Sequence, residues 1–304
     1  MTKPTTPSSF DTIGIVGRLG SDNVAHTVQR LTQLLSREGK SYAVDQPLAE
    51  AVGGLSSAVK SRDELGTWAD LIIVVGGDGT LLGAARDLAK FDVPLLGINR
   101  GRLGFLTDIM PFEMEAGVLA VLGGDYVAED RFLLQAQVVR DGKAMDSGCA
   151  LNDVVLHSGQ SIRMIEFELY IDDQFVYSQR SDGLIVSTPT GSTAYAMSAG
   201  GPLVHPSLDA MILVPMFPHS LSNRPIVVGA DAQLRIHVGP ATGESPQVSC
   251  DAQHHLAIEA VMNCTYTVIR TNCTCCIPRV TTIMKSAGPS SAGATRWMVT
   301  RYNV

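Results

Sequence analysis

The segment Gly76-Gly77-Asp78-Gly79-Thr80 carries the strongest chemical signal in the sequence, and it stands between an apolar strand pattern and a helical pattern. Ligands of open α/β sheets bind beyond the carboxyl ends of the strands, where glycines and the first amides of a helix can receive a phosphate. An aspartate would repel that phosphate unless it holds Mg²⁺ or accepts a proton from an attacking hydroxyl. The segment therefore indicates phosphoryl transfer, with a glycine-rich turn and a helix-capping aspartate as the structural alternative.

A second polar segment occupies residues 181–202. Ser181-Asp182-Gly183 precedes an apolar strand, and a run of small and hydroxyl residues follows, from Thr188 through Tyr195 to Pro202. Small residues let a loop wrap closely around a polar ligand, and Tyr195 can pack against a base or a sugar. On composition alone, an ordinary turn followed by a short helix is an equal alternative.

A third pair, Asn152-Asp153, enters the apolar run 154–156. An amide and a carboxylate together can bind an adenine edge and a pair of ribose hydroxyls. Taken alone, the pair is better explained as an Asx turn before a strand.

Strand and helix patterns alternate in the part of the chain that must position the first motif. Residues 12–17, 71–75 and 93–98 have the apolar character of strands buried on both faces. Helical spacing after the first strand and after Thr80 completes a strand–helix–strand order, which predicts an open α/β sheet. The first helix buries one apolar face, made of Val24, Val28, Leu31, Leu34 and Leu35.

The pattern changes near residue 130. Residues 132–138, 165–171 and 234–238 alternate apolar and polar side chains, which is typical of antiparallel strands with one wet face. The sequence therefore predicts an α/β nucleotide-binding domain at residues 1–128 and a β-rich domain at residues 129–260.

Composition excludes several classes of protein. The 304 residues are 45% hydrophobic and 17% charged, with a formal net charge of −7, which favours a globular chain over a disordered one. There is no apolar stretch of membrane-spanning length, no signal-peptide pattern at the N-terminus and no basic run. We expect a cytoplasmic protein that binds neither nucleic acid nor a membrane.

Five of the six cysteines crowd toward the C-terminus. Cys273, Cys275 and Cys276 have neither paired C-x-x-C spacing nor histidines at zinc-finger spacing, so they do not favour a metal site.

Together the motifs resemble the NAD kinases, which phosphorylate the 2′-hydroxyl of the adenosine ribose of NAD. The matching stretches are residues 76–80, 99–108, 151–157, 181–202 and 218–228, and the resemblance extends from about Ile13 to His255. Similar Gly-Gly-Asp-Gly-Thr loops occur in lipid kinases and phosphofructokinases, whereas the stretch TPTGSTAYAMSAGGP is specific to the NAD kinases.

The resemblance implies an α/β N-terminal domain, a β-rich C-terminal domain and an active site between them. It implies NAD and ATP as substrates, Mg²⁺ or another divalent cation, a homodimer or homotetramer, and Asp78 as the catalytic carboxylate. The family more often has Asn-Glu where this chain has Asn152-Asp153. The other residues implied to bind nucleotide are Gly76, Gly77, Gly79, Thr80, Phe105, Asn152, Asp153, Asp182, Thr193, Ala194, Tyr195, Ser198, His219 and Leu221.

Residues 261–304 do not fit the family. With suitable codons, the stretch that begins at Val261 can be read in a neighbouring frame, and that reading resembles the normal C-terminus of an NAD kinase. A run of Leu and His codons read in the shifted frame would produce the Cys and Thr residues of this tail. We therefore predict a frameshifted, poorly ordered tail. The normal tail of the family contributes late strands, and their loss would expose a sheet edge and could prevent folding.

Two other functions also fit the sequence. One is a lipid or sugar kinase with the same loop, and the other is a non-catalytic NAD-binding protein, if the tail abolishes activity. The sequence does not distinguish ATP from polyphosphate as the donor, nor does it decide acceptance of NADH or allosteric control.

Overall fold

The structure is a computed structural model that describes residues 10–53, 58–100, 104–107, 109–140, 143–159, 164–220, 223–238 and 246–256, together with the backbone of residues 264–278. Most of the helices lie in the first half of the chain. They are α1 (Asp22–Arg37), α2 (Gln46–Val52), α3 (Arg62–Trp68), α4 (Asp78–Leu88), α5 (Met114–Leu122) and α6 (Tyr195–Ser198).

The strands fall into an N-terminal group that alternates with helices and a C-terminal group that runs almost without helices. The first group is β1 (Thr12–Gly17), β2 (Ser41–Asp45), β3 (Ala58–Lys60), β4 (Leu71–Gly76) and β5 (Leu95–Asn99). The second group is β6 (Tyr126–Arg140), β7 (Lys143–Ala150), β8 (Asp153–His157), β9 (Ile165–Ile171), β10 (Gln174–Ser181), β11 (Gly183–Ser187), β12 (Ala210–Met216), β13 (Ile226–Gly229), β14 (Leu234–Val238), β15 (Gln247–Cys250), β16 (His254–Leu256) and β17 (Cys264–Pro278).

Parallel pairing organises the N-terminal strands in the order β3-β2-β1-β4-β5. All six residues of β4 are buried, because helices cover both faces of a parallel sheet. Helix α1 buries the apolar face that its sequence spacing predicts, including Val28 and Leu31. The predicted open α/β sheet is confirmed, and β4 delivers the Gly-Gly-Asp-Gly-Thr segment to its carboxyl edge.

A second sheet carries the antiparallel strands in the order β13-β12-β11-β8-β15-β16. One face of it packs against β6, β9 and β14 through a core that includes Phe132, Phe167, Leu184, Leu213 and Val248. The predicted β-rich half is therefore two sheets packed face to face, with the polar turns of β8 and β15 at one end.

Strand β17 joins the two halves of the chain. It pairs antiparallel with β14 and with the whole length of β6, and it pairs in parallel with β5 through Cys275 and Leu95. The sheet that contains β1 to β5 thereby continues into β9, β10 and β14, for eleven strands in all.

The predicted domain boundary at residues 128 and 129 lies inside β6, so the division of the chain stays a prediction. Residues 264–278 belong to the tail that the sequence predicts to be poorly ordered, yet here they form a strand. Strand pairing uses the N–H and C=O groups that nearly every residue carries, so it does not require alternating side chains. Residues 257–263 and 279–304, which the same prediction covers, lie outside the described residues.

Among the helices that the structure describes, none is both long enough and apolar enough to cross a lipid bilayer.

Candidate active site

Asp78 stands at the carboxyl edge of the parallel sheet, as the first residue of α4 and two residues after β4 ends. The neighbouring strand β5 ends at Asn99, and the loop that follows it returns to the same edge. The N-terminal cap position of α4 is Gly77, without a side-chain cap hydrogen bond. The alternative in which Asp78 merely caps its helix is therefore wrong, and its carboxylate points elsewhere.

The carboxylate of Asp78 is held by the loop after β5. Its Oδ2 accepts the backbone N–H of Phe105 at 2.8 Å. Its Oδ1 accepts the N–H of Leu106 and the N–H of Thr107, both at 3.2 Å, and the hydroxyl of Thr107 at 3.1 Å. Thr107 is 1% exposed, so this hydroxyl has a fixed direction. Four donors therefore fix Asp78 in one orientation.

The close approach of this loop requires a glycine at position 104. A Cβ atom placed there would lie 2.2 Å from Oδ1 of Asp78 and 2.5 Å from its Cγ. No side chain fits between the loop and the carboxylate. Gly104 therefore lets residues 105–107 reach Asp78 with their backbone.

A cavity of about 590 Å³ lies along β8 of the second sheet. It contains five of the residues that the sequence assigns to nucleotide binding: Asn152, Asp153, Asp182, Ala194 and Tyr195. The rest of its lining comes from Val155, His157, Ser158, Gly159, Met216, Ser249, Asp251 and Ala252.

The turn at Asn152 is clasped by the loop after β11. The N–H of Thr188 donates to the carbonyl of Asn152 at 2.9 Å, and the hydroxyl of Thr188 donates to the carbonyl of Leu151 at 2.6 Å. A Cβ atom on Gly191 would lie 2.2 Å from that Asn152 oxygen. The small residues of segment 181–202 therefore allow close wrapping, as the sequence suggests. At this point they wrap around the turn at Asn152, which is part of the protein itself.

Asp153 is a buried acid, with 5% of its surface exposed. Burial, and then the nearby charge of Asp251, raise the pKa of its carboxyl to about 7. The pKa of Asp251 is raised as well, by burial, while the backbone N–H groups of residues 151–153 oppose that rise. Near neutral pH, Asp153 can therefore present either a proton or a negative charge to a ligand in the cavity.

His157 borders the cavity in a defined protonation state. Its Nδ1 accepts the N–H of Gly159 at 3.1 Å, so the ring proton of the neutral form lies on Nε2, which is 2.7 Å from Oγ of Ser249. Ser249 in turn lies 3.0 Å from Nδ1 of His255. Burial, followed by the charge of His255, lowers the pKa of His157, which favours the neutral ring.

The phosphate-loop residues Gly76, Gly77, Gly79 and Thr80 flank Asp78 rather than the cavity. A turn after β15 connects the two regions: Nε2 of Gln253 donates to the carbonyl of Gly79 at 2.8 Å, and Oε1 of Gln253 accepts from Arg86 at 3.3 Å. Since Ala252 of the same turn lines the cavity, the loop and the cavity are neighbours.

Four of the remaining predicted residues are described by the structure, and they do not line the cavity. Phe105 is 38% exposed beside Asp78. Thr193 donates its hydroxyl to the carbonyl of Thr190, Ser198 is exposed at the end of α6, and the exposed His219 donates its N–H to the carbonyl of Arg180. Leu221 lies outside the described residues.

Several lining residues were not predicted. Val155 and His157 follow Asp153 at a spacing of two along β8, so strand alternation from Asp153 could have placed them on its face. Ser249 and Asp251 lie opposite them only through the pairing of β15 with β8, and no local pattern in the sequence shows that pairing.

Comparison with known proteins matches both halves of the chain to one family. The model of the ATP-NAD kinase N-terminal domain matches residues 13–126, and that of the ATP-NAD kinase C-terminal domain matches residues 151–272. The second match continues past His255, where the sequence resemblance was expected to end, and reaches into β17. The lipid and sugar kinase alternative is not supported.

The relatives include an NAD kinase of Azotobacter vinelandii, 58% identical over 81% of this chain and 83% of that protein. NAD kinases of Pseudomonas fluorescens and Hahella chejuensis are 59% and 58% identical over the same shares of both chains.

Two solved structures share the fold. A yeast NADH kinase complexed with NADH aligns with a TM-score of 0.80 at 23% identity, over 91% of this chain and 88% of that one. An NAD kinase from Archaeoglobus fulgidus in complex with ATP aligns with a TM-score of 0.65 at 26% identity, over 86% and 92%.

The contact at Gly191 predicts a stability defect. In Gly191→Ala the new methyl group must displace the carbonyl of Asn152, and overpacking of this kind costs about 1–3 kcal/mol of unfolding free energy. Urea denaturation measures the loss. Gly83→Ala is the control, because its methyl group would meet its neighbours only at 3.5 Å or more within a helix and should leave stability unchanged or slightly higher. Equal midpoints for both variants would contradict the prediction.

The raised pKa of Asp153 predicts a pH-dependent stability. The folded chain, with a pKa of about 7, holds this proton more tightly than the unfolded chain, with 3.8. The resulting stabilisation is full below pH 3.8 and is lost as the pH rises through 7, by at most about 1.4 kcal/mol per pH unit. Urea denaturation at pH 5 and pH 8 measures the free energy of unfolding of both proteins. The value for Asp153→Asn minus that for the wild type should be larger at pH 8 than at pH 5. A constant difference between the two proteins would refute this assignment.

Proposed function

The chain belongs to the NAD kinase family and phosphorylates NAD to NADP with ATP, and we propose that Asp78 is the carboxylate that accepts the proton of the ribose 2′-hydroxyl. The observation that carries this proposal is the fixed orientation of Asp78 by residues 105–107. A catalytic base must be held within hydrogen-bond reach of the group it deprotonates, and a freely rotating side chain would lose that geometry.

The hydrogen bonds leave a defined free position on Asp78. The two oxygens of a carboxylate offer about four acceptor directions. Oδ1 already takes three donors from Leu106 and Thr107, whereas Oδ2 takes one donor, the N–H of Phe105. The open acceptor direction is therefore on Oδ2, and we place the 2′-hydroxyl there.

The cavity is the proposed site of the dinucleotide. Its volume of about 590 Å³ lies within the range of about 300–1,000 Å³ that is common for small-molecule sites. We propose that Asn152 and Asp153 hold the adenosine part, that Tyr195 packs against it, and that Asp182 contacts the nicotinamide half. Val155 and Met216 supply apolar surface, which suits an aromatic base.

The phosphates of ATP are proposed to lie at the start of α4. The first N–H groups of a helix have no partner within it, and its dipole favours negative charge at that end. Gly76, Gly77 and Gly79 keep side chains away from this position, while Thr80 adds a hydroxyl. The γ-phosphate would then lie beside Asp78, which is the residue that opens the helix.

The residues present fit a magnesium ion that is bound mainly by substrate. In such sites Mg²⁺ usually keeps several waters and binds substrate phosphates. Among the residues that the structure describes, no three acidic, histidine or cysteine side chains gather as a protein-only metal site. The phosphates of ATP and water would therefore supply the ligands of the ion, because the open acceptor direction of Asp78 is taken by the 2′-hydroxyl. When bound, the ion would neutralise charge on the transferred phosphoryl group.

The reaction then needs little from the protein beyond position and charge. Amides at the start of α4 hold the donor phosphates and the cavity holds the adenosine ribose. The 2′-oxygen bonds to the γ-phosphorus of ATP, the bond from that phosphorus to the bridging oxygen breaks and ADP leaves, while Asp78 takes up the hydroxyl proton. The turn that joins Gly79 to Ala252 sets how far the two substrates lie from each other. The cytoplasmic location and the homodimer or homotetramer stay predictions.

Asp78→Asn provides the test. The amide keeps the shape of the side chain but cannot take up the proton, so kcat should fall by about 10²–10⁴-fold while KM for NAD changes less than about threefold. The 304-residue chain is incubated with NAD and MgATP, and NADP is read with an NADP-specific dehydrogenase.

Asp92→Asn is the matched control. Asp92 is an exposed turn residue before β5, with a φ of 54° that asparagine also adopts readily, and this variant should retain wild-type turnover. A folded Asp78→Asn protein with near-wild-type kcat would refute the role of Asp78. A folded wild-type chain that makes no NADP would contradict the activity itself.

A further inference from the structure

We propose that Asp251 is a positioning residue for NAD, which holds the Asn152 turn in its binding conformation through three backbone hydrogen bonds. The inference rests on the proposed placement of NAD in the cavity and adds a residue that the sequence motifs did not single out. Asp251 follows β15, in the turn to β16.

The carboxylate of Asp251 is surrounded by donors from three consecutive residues. Oδ2 accepts the N–H of Leu151 at 2.9 Å, and Oδ1 accepts the N–H of Asn152 at 2.8 Å and that of Asp153 at 3.2 Å. Three successive N–H groups that converge on one point form an anion-binding concavity. Here the anion is a side chain of the protein.

A backbone hydrogen bond closes the same contact from the other direction. The N–H of Asp251 donates to the carbonyl of Asp153 at 2.9 Å. Asp251 is 7% exposed, so water does not replace these interactions. The Asn152 turn and the turn after β15 are therefore fixed to each other on the wall of the cavity.

Backbone conformation supports a specific role for this turn. Asp251 and Ala252 both have a φ of 52°, in the left-handed region that residues other than glycine seldom adopt. Such conformations persist where the surrounding contacts determine them, and they are frequent at ligand sites. The three hydrogen bonds from residues 151–153 are such contacts.

The charge and geometry of aspartate both matter at this position. Asparagine has one acceptor oxygen, and its NH₂ group would face at least one of the three N–H donors. A buried donor without an acceptor is costly, so the turn would rotate to find another partner. Asn152 and Asp153 would then leave the positions from which they bind the adenosine part.

The same turn reaches the phosphate loop through a separate contact, from Gln253 to Gly79. A change confined to the carboxylate of Asp251 leaves that contact in place. Loss of Asp251 should therefore weaken NAD binding without a matching effect on ATP. A general loss of structure would affect both substrates, so the ratio of the two KM values separates the two explanations.

The experiment measures KM for NAD, KM for ATP and kcat in Asp251→Asn. KM for NAD should rise at least tenfold, while KM for ATP and kcat stay within about threefold. Asp172→Asn is the matched control. Asp172 is also an aspartate with a positive φ of 50°, and it accepts the N–H of Gln233 at 2.9 Å away from the cavity; its loss should change none of the three constants.

Asn152→Ala tests the placement of NAD independently. If Asn152→Ala raises KM for NAD and Asp251→Asn leaves it within twofold, the role of Asp251 is refuted while the placement stands. If neither variant changes KM for NAD, the placement itself is wrong and this inference fails with it. Equal rises in KM for both substrates would overturn the positioning role.

Hydrogen exchange of the wild-type protein decides the matter if Asp251→Asn does not fold. Saturating NAD should slow exchange of the amides of Leu151, Asn152 and Asp153 at least tenfold, because the ligand and Asp251 hold the same turn. Unchanged exchange of these three amides would overturn the proposal.

Discussion

Four hydrogen bonds onto the carboxylate of Asp78 are the interaction on which the rest of the site depends. They join the end of β4 to the loop after β5, and they exist because parallel strands end at one edge of the sheet and because Gly104 lets the loop come close. A carboxylate next to a phosphate site would otherwise repel the substrate and rotate away from it. Fixed by these donors, it keeps one acceptor direction open on Oδ2, which the proposed proton transfer from the 2′-hydroxyl requires.

The dinucleotide side of the site uses the same principle with different partners. The turn that carries Asn152 and Asp153 is held from one side by Thr188 and from the other by Asp251. In both regions a carboxylate accepts consecutive backbone N–H groups, and in both a glycine permits a close approach. Gly104 lets a loop reach the carboxylate of Asp78, and Gly191 lets a loop reach the carbonyl of Asn152. The turn after β15 connects the regions, since Gln253 reaches Gly79 while Asp251 reaches residues 151–153. The proposed donor and acceptor sites therefore share the turn after β15 as a common wall.

The local sequence pattern was sufficient to predict these helices and strands and the polar residues at their ends. The buried run before Gly76 predicted β4, the helical spacing after Thr80 predicted α4, and their junction identified Asp78. Alternation predicted β6, β9 and β14. Contacts between distant segments could not be predicted: Asp251 meets Leu151 across 100 residues, and β17 joins β5, β6 and β14 although its sequence has little periodicity. These pairings depend on tertiary structure. They are made by backbone hydrogen bonds, which the order of side-chain types does not reveal.

The steady-state kinetics of Gly104→Ala test the central claim most directly. The added methyl group would lie 2.2 Å from Oδ1 of Asp78, so the loop must withdraw and the carboxylate loses its donors, while every side chain of the site is kept. We expect kcat to fall by about 10²-fold or more, with KM for NAD within about threefold and a folded protein, because a displaced base loses most of its catalytic contribution. A folded Gly104→Ala enzyme with wild-type kcat would contradict the claim that these hydrogen bonds position Asp78 for catalysis.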